Sequence, residues 1–214
     1  MGMIFKNRTE AGRLLGEKLK KYKDKNALVL ALPRGGVPVA LEIATILDAE
    51  LGVVITRKIG APGNPELAIG SVADDGTAFL NNSIIADLGI ETDYIKHKIK
   101  QVKNEIAEYI ERYIGESPVP EIAGRTVIIV DDGIATGYTI LAAIKTIMGK
   151  HPKELVIAVP VGPRDSIDEL QQTTGCSVIT LMQPVFFIAV GQYYEDFRQV
   201  SDEEVSRLLR HYRK

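Results

Sequence analysis

The chain has 214 residues, is 45% hydrophobic and 25% charged, and carries a formal net charge of −2. That length suits one α/β domain with a sizeable core, spanning residues 1–214, and is short for two; a near-neutral charge excludes the global field of a nucleic-acid binder, so any anion site must be local. The single cysteine, Cys176, excludes an internal disulfide and a cysteine-rich metal site, and it reads as a small buried residue beside a strand.

Taken in chain order, the opening MGMIFKNRTEAGRLLGEKLKKY has no continuous apolar core, so no signal peptide is expected. No stretch approaches the ~20 apolar residues of a membrane span. A cytoplasmic protein with neither membrane nor nucleic acid as partner is the expectation. ALVLAL, from Ala27, reads as the first strand; a tight PRGG turn and a helix from Val37 (VPVALEIATIL) follow it. LGVVIT, from Leu51, is the second strand, and Arg57 and Lys58 stand at its end. Residues 58–82 contain Gly60, Pro62, Gly63, Pro65, Gly70 and Gly76. They read as a long mobile loop with a small hairpin at ADDGTAF, and a loop of that length in a compact domain is usually functional.

The longest helical pattern starts at Thr92, where Ile95, Ile99, Val102, Ile106, Tyr109 and Tyr113 recur at helical spacing. The stripe is read as a surface helix packed on its own sheet rather than as a partner seam, which leaves a homodimer open. ESPVPEIAG, from Glu116, is a connector. Beyond it come a strand (RTVIIV, from Arg125), a helix from Tyr138, a strand (ELVIAVPV, from Glu154), a helix over 164–172 behind Pro163, and a strand (CSVITL, from Cys176). The aromatic segment PVFFIAVGQYYEDF, from Pro184, closes the series. Strands alternating with helices predict an α/β fold, a central mostly parallel sheet flanked by helices. The near-continuous apolar character of the strands means burial on both faces.

The chemistry concentrates in RTVIIVDDGIATGYTILAAI, from Arg125. A buried strand ends in two carboxylates, a small-residue loop follows, and a helix begins. Ligands of open α/β sheets sit at the carboxyl ends of strands. The loop offers backbone N–H groups and the positive end of a helix dipole, which suit a phosphate. Gly133 and Gly137 allow close approach, and Thr136 and Thr139 add hydroxyls. Asp131 and Asp132 cannot hold a phosphate, since like charges repel; they suit sugar hydroxyls or a hydrated Mg²⁺. A phosphate cradle with carboxylates one sugar away describes a phosphorylated ribose. No GxxxxGK[ST] loop and no strand followed by GxGxxG occurs, so nucleotide-kinase and dinucleotide fingerprints are absent.

VIIVDDGIATGYT resembles the motif with which type I phosphoribosyltransferases bind 5-phosphoribosyl-1-pyrophosphate (PRPP). The resemblance implies their fold, with a flexible loop at about 58–82 and a small C-terminal hood at about 182–200. It implies that Asp131 and Asp132 hold the ribose 2′- and 3′-hydroxyls and touch the metal only through PRPP or water. Gly133, Ile134, Ala135, Thr136, Gly137, Tyr138 and Thr139 would line PRPP, with the 5′-phosphate wrapped by 135–139. PRGG occupies the place of the family's pyrophosphate loop, with Arg34, Gly35 and Gly36 as its binding residues. Arg57 and Lys58 would neutralise the departing pyrophosphate and, with the two aspartates, form the catalytic set. Mg²⁺ is the implied cofactor, and PRPP with a small-molecule acceptor are the implied partners, within nucleotide metabolism.

EAGRLLGEKL, LALPRGGVPVA, RKIGAPGNPELAIGSV, VDDGIATG and FFIAVGQYYEDFRQVSDEEV occur in the order seen in a subgroup of predicted phosphoribosyltransferases, so the resemblance covers nearly the whole chain. That subgroup supplies no acceptor to carry over. The hypoxanthine-guanine class keeps an acid just before the loop's Thr-Gly, where this chain has Ala135. Hypoxanthine and guanine are therefore expected to be poor acceptors, and Glu195 or Asp196 is left as a candidate base. Phe186, Phe187 and Glu195 are the expected acceptor-binding residues, because aromatic faces stack on flat rings. The alternative is a PRPP- or nucleotide-sensing regulator that keeps the fold without transfer. A hydrolase acting on a phosphorylated sugar also fits the cradle alone.

Overall fold

A computed structural model of the chain describes residues 4–73, 76–113 and 120–212. Five parallel strands form the main sheet: β1 (Ala27–Ala31), β2 (Glu50–Val53), β6 (Thr126–Val130), β7 (Glu154–Val161) and β8 (Ser177–Met182), in the order β2-β1-β6-β7-β8. These are the five apolar runs of the sequence. Every residue of β1 and β6 is buried, because helices cover both faces. Side-chain alternation divides the core accordingly. Val29, Ala31, Ile128 and Val130 meet α1 (Arg8–Lys18), α2 (Gly36–Leu47), α4 (Thr92–Tyr113) and α7 (Asp202–Tyr212) on one face. Leu28, Leu30, Val127 and Ile129 meet α5 (Tyr138–Met148) and α6 (Arg164–Thr174) on the other. Cys176 is buried in the second of these clusters.

The order of the strands decides where a ligand can sit. From β1 the chain first goes outward to β2 and later returns to place β6 on β1's other side. The switch point lies between β1 and β6, and the crevice outside their carboxyl ends is the binding place of such sheets. Register aligns those ends: Ala31 pairs with Val130, and the Leu32 N–H donates to the Val130 carbonyl at 2.8 Å. The turn 33–36 and the acids 131–132 therefore leave the sheet side by side.

Residues 58–82, expected as an irregular loop, are built instead into an antiparallel sheet of β3 (Arg57–Ala61), β4 (Asn64–Val72) and β5 (Ala78–Leu80). Pro62 and Gly63 lie in the turn between β3 and β4, Gly60 marks the register shift between Ile59 and Ala61, and Gly70 pairs within β4, so none of these breaks the structure. Asp74 and Asp75, in the expected ADDGTAF hairpin, lie outside the described residues; the strands on either side of them do pair. Residues 116–119 of the connector lie outside them as well. The α4 stripe packs inward as expected, with Ile95, Val102 and Ile106 buried. Tyr94 fastens the helix to the small sheet by donating its hydroxyl to the Gly60 carbonyl at 3.0 Å. Tyr113 belongs to α4, but its side chain lies outside the description. No helix among the described residues is long and apolar enough to cross a membrane.

The N-terminal segment adds structure beyond the expected elements. In α1, Asn7 is the N-cap and accepts from the Glu10 N–H at 2.9 Å, while the Glu10 carboxylate accepts from the Lys6 N–H at 2.6 Å. Asn-x-x-Glu is a legible start signal. Ahead of it, Phe5 forms a parallel bridge with Tyr194. Its N–H donates to the Tyr193 carbonyl and its carbonyl accepts from the Glu195 N–H, each at 2.8 Å. The chain's beginning thus stitches down the C-terminal aromatic segment. Phe5 fills the centre of a cluster with Tyr193, Tyr194 and Val161.

Candidate functional site

Asp131 and Asp132 follow β6 directly, where the backbone leaves the ladder. Asp131 turns a carboxylate oxygen back to accept from the Asp132 N–H at 2.8 Å. Burial raises the Asp131 carboxyl well above the usual carboxylate range, and the neighbouring charge of Asp132 pushes the same way. Burial also raises Asp132, against the opposing pull of Arg8. Arg8 Nε donates to Asp132 Oδ2 at 2.8 Å. The Tyr194 hydroxyl donates to the Asp132 carbonyl at 2.6 Å. Two desolvated carboxylates thus stand at the topological switch point, and among the described residues Arg8 is the cation paired with them.

The PRGG turn closes against this pair. A Cβ on Gly35 would collide with the Asp132 carboxylate, and one on Gly36 would stand 2.5 Å from the Val130 carbonyl oxygen. Glycine is required at both positions because the two loops touch. The N–H of Gly36, one of the expected binding residues, donates to the Leu32 carbonyl at 3.0 Å. Its contribution is therefore closeness rather than a free donor. The Pro33–Arg34 peptide bond is cis. Arg34, half-exposed, reaches Asp202 at the start of α7 with 3.5 Å between Nη1 and Oδ1.

Beyond the acids, Ile134 is buried and its N–H donates to the Val161 carbonyl at 2.8 Å, so it anchors the loop rather than lining it. Ser166, on α6, donates its hydroxyl to the Ala135 carbonyl at 2.8 Å and holds the loop from the other side. Ala135, Thr136 and Thr139 are exposed. Gly137 takes the left-handed conformation, φ 75°, and begins α5 with no side-chain cap. The leading N–H groups of that helix are thus left to other acceptors. Tyr138 is the first residue of α5, and its side chain lies outside the description.

The remaining expected site residues sit further apart. Arg57 lies over the Tyr109 ring of α4, 4.3 Å from its centroid. Lys58 helps line a cavity of about 500 Å³ between β3 and α4, together with Tyr94, Lys98 and Glu105. Both residues are thus set toward α4 at the base of the small sheet. In the hood, Phe187 stacks on Tyr193 at 5.7 Å, and Phe186 is 88% exposed while its carbonyl accepts from the Tyr193 hydroxyl. Glu195 and Asp196 are exposed. Tyr193 and Tyr194, from the same aromatic segment, are buried as core. Sequence reasoning passed over Arg8, Ser166 and the hydroxyl of Tyr194. The first and last reach the acids across 124 and 62 residues of chain, and no local pattern encodes such pairs.

An α/β sheet of this order is a doubly wound fold, and the paired acids and glycine turn stand at its switch point, where such sheets bind their ligands. The sequence profile of the phosphoribosyl transferase domain matches residues 2–196, and the chain belongs to that family. Two Mycobacterium tuberculosis proteins, from strains CDC 1551 and H37Rv and each named a "Putative phosphoribosyl transferase", are 39% identical to it over 207 residues. The match covers 96% of this chain and 46% of each relative, so the chain spans about half the length of these relatives. The crystal structure of the protein TT1426 from Thermus thermophilus superposes with a TM-score of 0.89 at 38% identity, covering 98% of this chain and 99% of that one.

Proposed function

We propose that this chain transfers the ribose 5-phosphate of PRPP to a nitrogenous acceptor, a nucleobase-like ring, with release of pyrophosphate. The observation that carries the reading is the Asp131–Asp132 pair at the switch point, walled by the Arg34-Gly35-Gly36 turn and followed by an uncapped helix. In this reading the two carboxylates accept hydrogen bonds from the ribose hydroxyls and fix the ring, which is a positioning effect. The loop 133–139 and the N-terminus of α5 take the 5′-phosphate. Arg34 meets the pyrophosphate, and its loose contact with Asp202 yields to a more highly charged partner. Arg57 and Lys58 stand on β3, and closing the small sheet over the crevice would bring them to the leaving group and exclude water.

Mg²⁺ suits this donor set. Among the described residues no cluster of three or more His, Cys, Asp or Glu side chains forms a cage. Mg²⁺ is commonly held by one or two carboxylates together with substrate phosphates, and Asp131 and Asp132 supply the carboxylates, directed at the ion through PRPP or water. When bound, the ion supplies charge neutralisation for the departing pyrophosphate.

The test is a panel of nucleobases and amines incubated with PRPP and Mg²⁺ and scored for pyrophosphate release. Acceptor-dependent release is expected, with hypoxanthine and guanine poor, because Ala135 offers no base and positioned acid–base help contributes roughly 10²- to 10⁴-fold. Ala135 is exposed in the loop, so an Ala135→Asp change can be accommodated and would be expected to improve both 6-oxopurines. Tight PRPP binding without release, whatever the acceptor, would instead support a regulator that senses PRPP.

A further inference from the structure

Arg8 is the one charged residue among the buried side chains of the described chain, and arginine is almost never fully buried without partners. Its donors are divided between the paired acids and the C-terminal segment. Nε meets Asp132 Oδ2 at 2.8 Å, and Nη1 donates to the Arg198 carbonyl at 2.9 Å. The guanidinium plane lies over the Phe197 ring, 3.9 Å from its centroid, with the Tyr194 ring at 5.9 Å. Tyr194 in turn holds the main-chain carbonyl of Asp132. The carboxylate is thus gripped by Arg8 at Oδ2, its main chain is held by Tyr194, and Gly35 closes on the same Oδ2 side.

The mounting of Arg8 is rigid. It is the first residue of α1, behind the Asn7 cap. That helix packs so closely on α2 that a Cβ on Gly12 would stand 2.7 Å from the Val39 carbonyl oxygen. A guanidinium carried on such a support fixes the direction of whatever it binds. The contact uses one oxygen of Asp132, while a carboxylate accepts at about four lone-pair positions, so Oδ1 remains for a ligand hydroxyl.

We propose that Arg8 is a positioning residue of the PRPP site: it clamps the Asp132 carboxylate in the orientation that meets the ribose and ties that carboxylate to the aromatic cap. The inference rests on the PRPP reading of the site. It gives the N-terminal segment and the hood a shared task, since the pair Phe5–Tyr194 and the pair Arg8–Phe197 join the same two segments. It also makes Arg8 a supporter of ligand binding rather than a plug that the ligand must displace, and the two roles have opposite signs.

The experiment is calorimetric titration of PRPP with Mg²⁺ into the wild-type chain, Arg8→Met, Arg8→Lys, Asp132→Asn and the double variant Arg8→Met/Asp132→Asn, with circular dichroism as the check of folding. Arg8→Met is expected to weaken PRPP binding roughly tenfold or more, the scale of one charge-assisted hydrogen bond. Arg8→Lys should restore part of the loss. In the Asp132→Asn background the Met substitution should add little, because its effect runs through that carboxylate. Unchanged or tighter binding by Arg8→Met overturns the inference, as does full additivity with Asp132→Asn, which would assign Arg8 to packing alone. Should Arg8→Met fail to fold, Arg8→Lys with and without Asp132→Asn carries the same comparison. A wild-type chain indifferent to PRPP removes the reading of the site itself, an outcome distinct from a PRPP response that ignores Arg8.

Discussion

Gly36→Ala separates two opposing effects by sign. Gly36 is the first residue of α2, and alanine in place of glycine inside a helix ordinarily gains up to about 1 kcal/mol. At this position the added Cβ would lie 2.5 Å from the Val130 carbonyl oxygen and 3.0 Å from the Asp131 Cα. Both contacts are backbone, so no side chain can swing away. The turn must retreat from the end of β6 by about 1 Å, and overpacking of this kind costs about 1–3 kcal/mol. The clash outweighs the helical gain. The net cost is up to about 2 kcal/mol; in a chain of this size each kcal/mol moves Tm by about 2–4 °C, so thermal denaturation should show a fall of up to about 8 °C. PRPP binding should suffer more than stability, since a misplacement of about 1 Å at a reacting site can cost on the order of 10²-fold. The two measurements are a melting curve and a PRPP titration on the same preparation. A Gly36→Ala protein that melts higher than wild type and binds PRPP normally would refute the view that the turn and the acids are in enforced contact.

Asp131→Asn should raise the Tm of the ligand-free protein near neutral pH while removing most of the thermal shift given by PRPP. Burial raises the Asp131 carboxyl in the folded state. The unfolded chain therefore releases this proton first, and wild-type stability falls as pH climbs from the ordinary aspartate value of 3.8 through the raised value. The advantage of the variant should widen across that window, and melting curves over a pH series that show no widening would count against a strained pair. The small sheet of β3, β4 and β5 is expected to exchange its amide hydrogens readily in the free protein and to become protected with PRPP and Mg²⁺. Strong protection without ligand would make it a fixed wall rather than a lid.

The sequence by itself determined the five buried strands, the helices between them and the location of the acids. Those features are local: apolar runs, helical periodicity and a strand that ends in Asp-Asp leave their mark within a few residues. It also set PRGG and Asp-Asp at the ends of strands, on which the expectation of a phosphate and sugar site rests. Four matters were left to the tertiary structure. The segment 58–82 became a sheet because its strands pair with one another, and glycine content alone does not distinguish a turn from a loop. The Gly36 N–H is taken by the Leu32 carbonyl four residues back, because the turn winds directly into α2 there. Tyr193 and Tyr194 were taken into a core that Phe5 completes from the far end of the chain. Arg8, an ordinary first-turn residue in its own helix, acquired an ion-pair partner in Asp132 only when the fold brought them together. Periodicity reports which face of an element is buried; which charge meets which across the molecule depends on the order of the strands and on where the two ends of the chain come to lie.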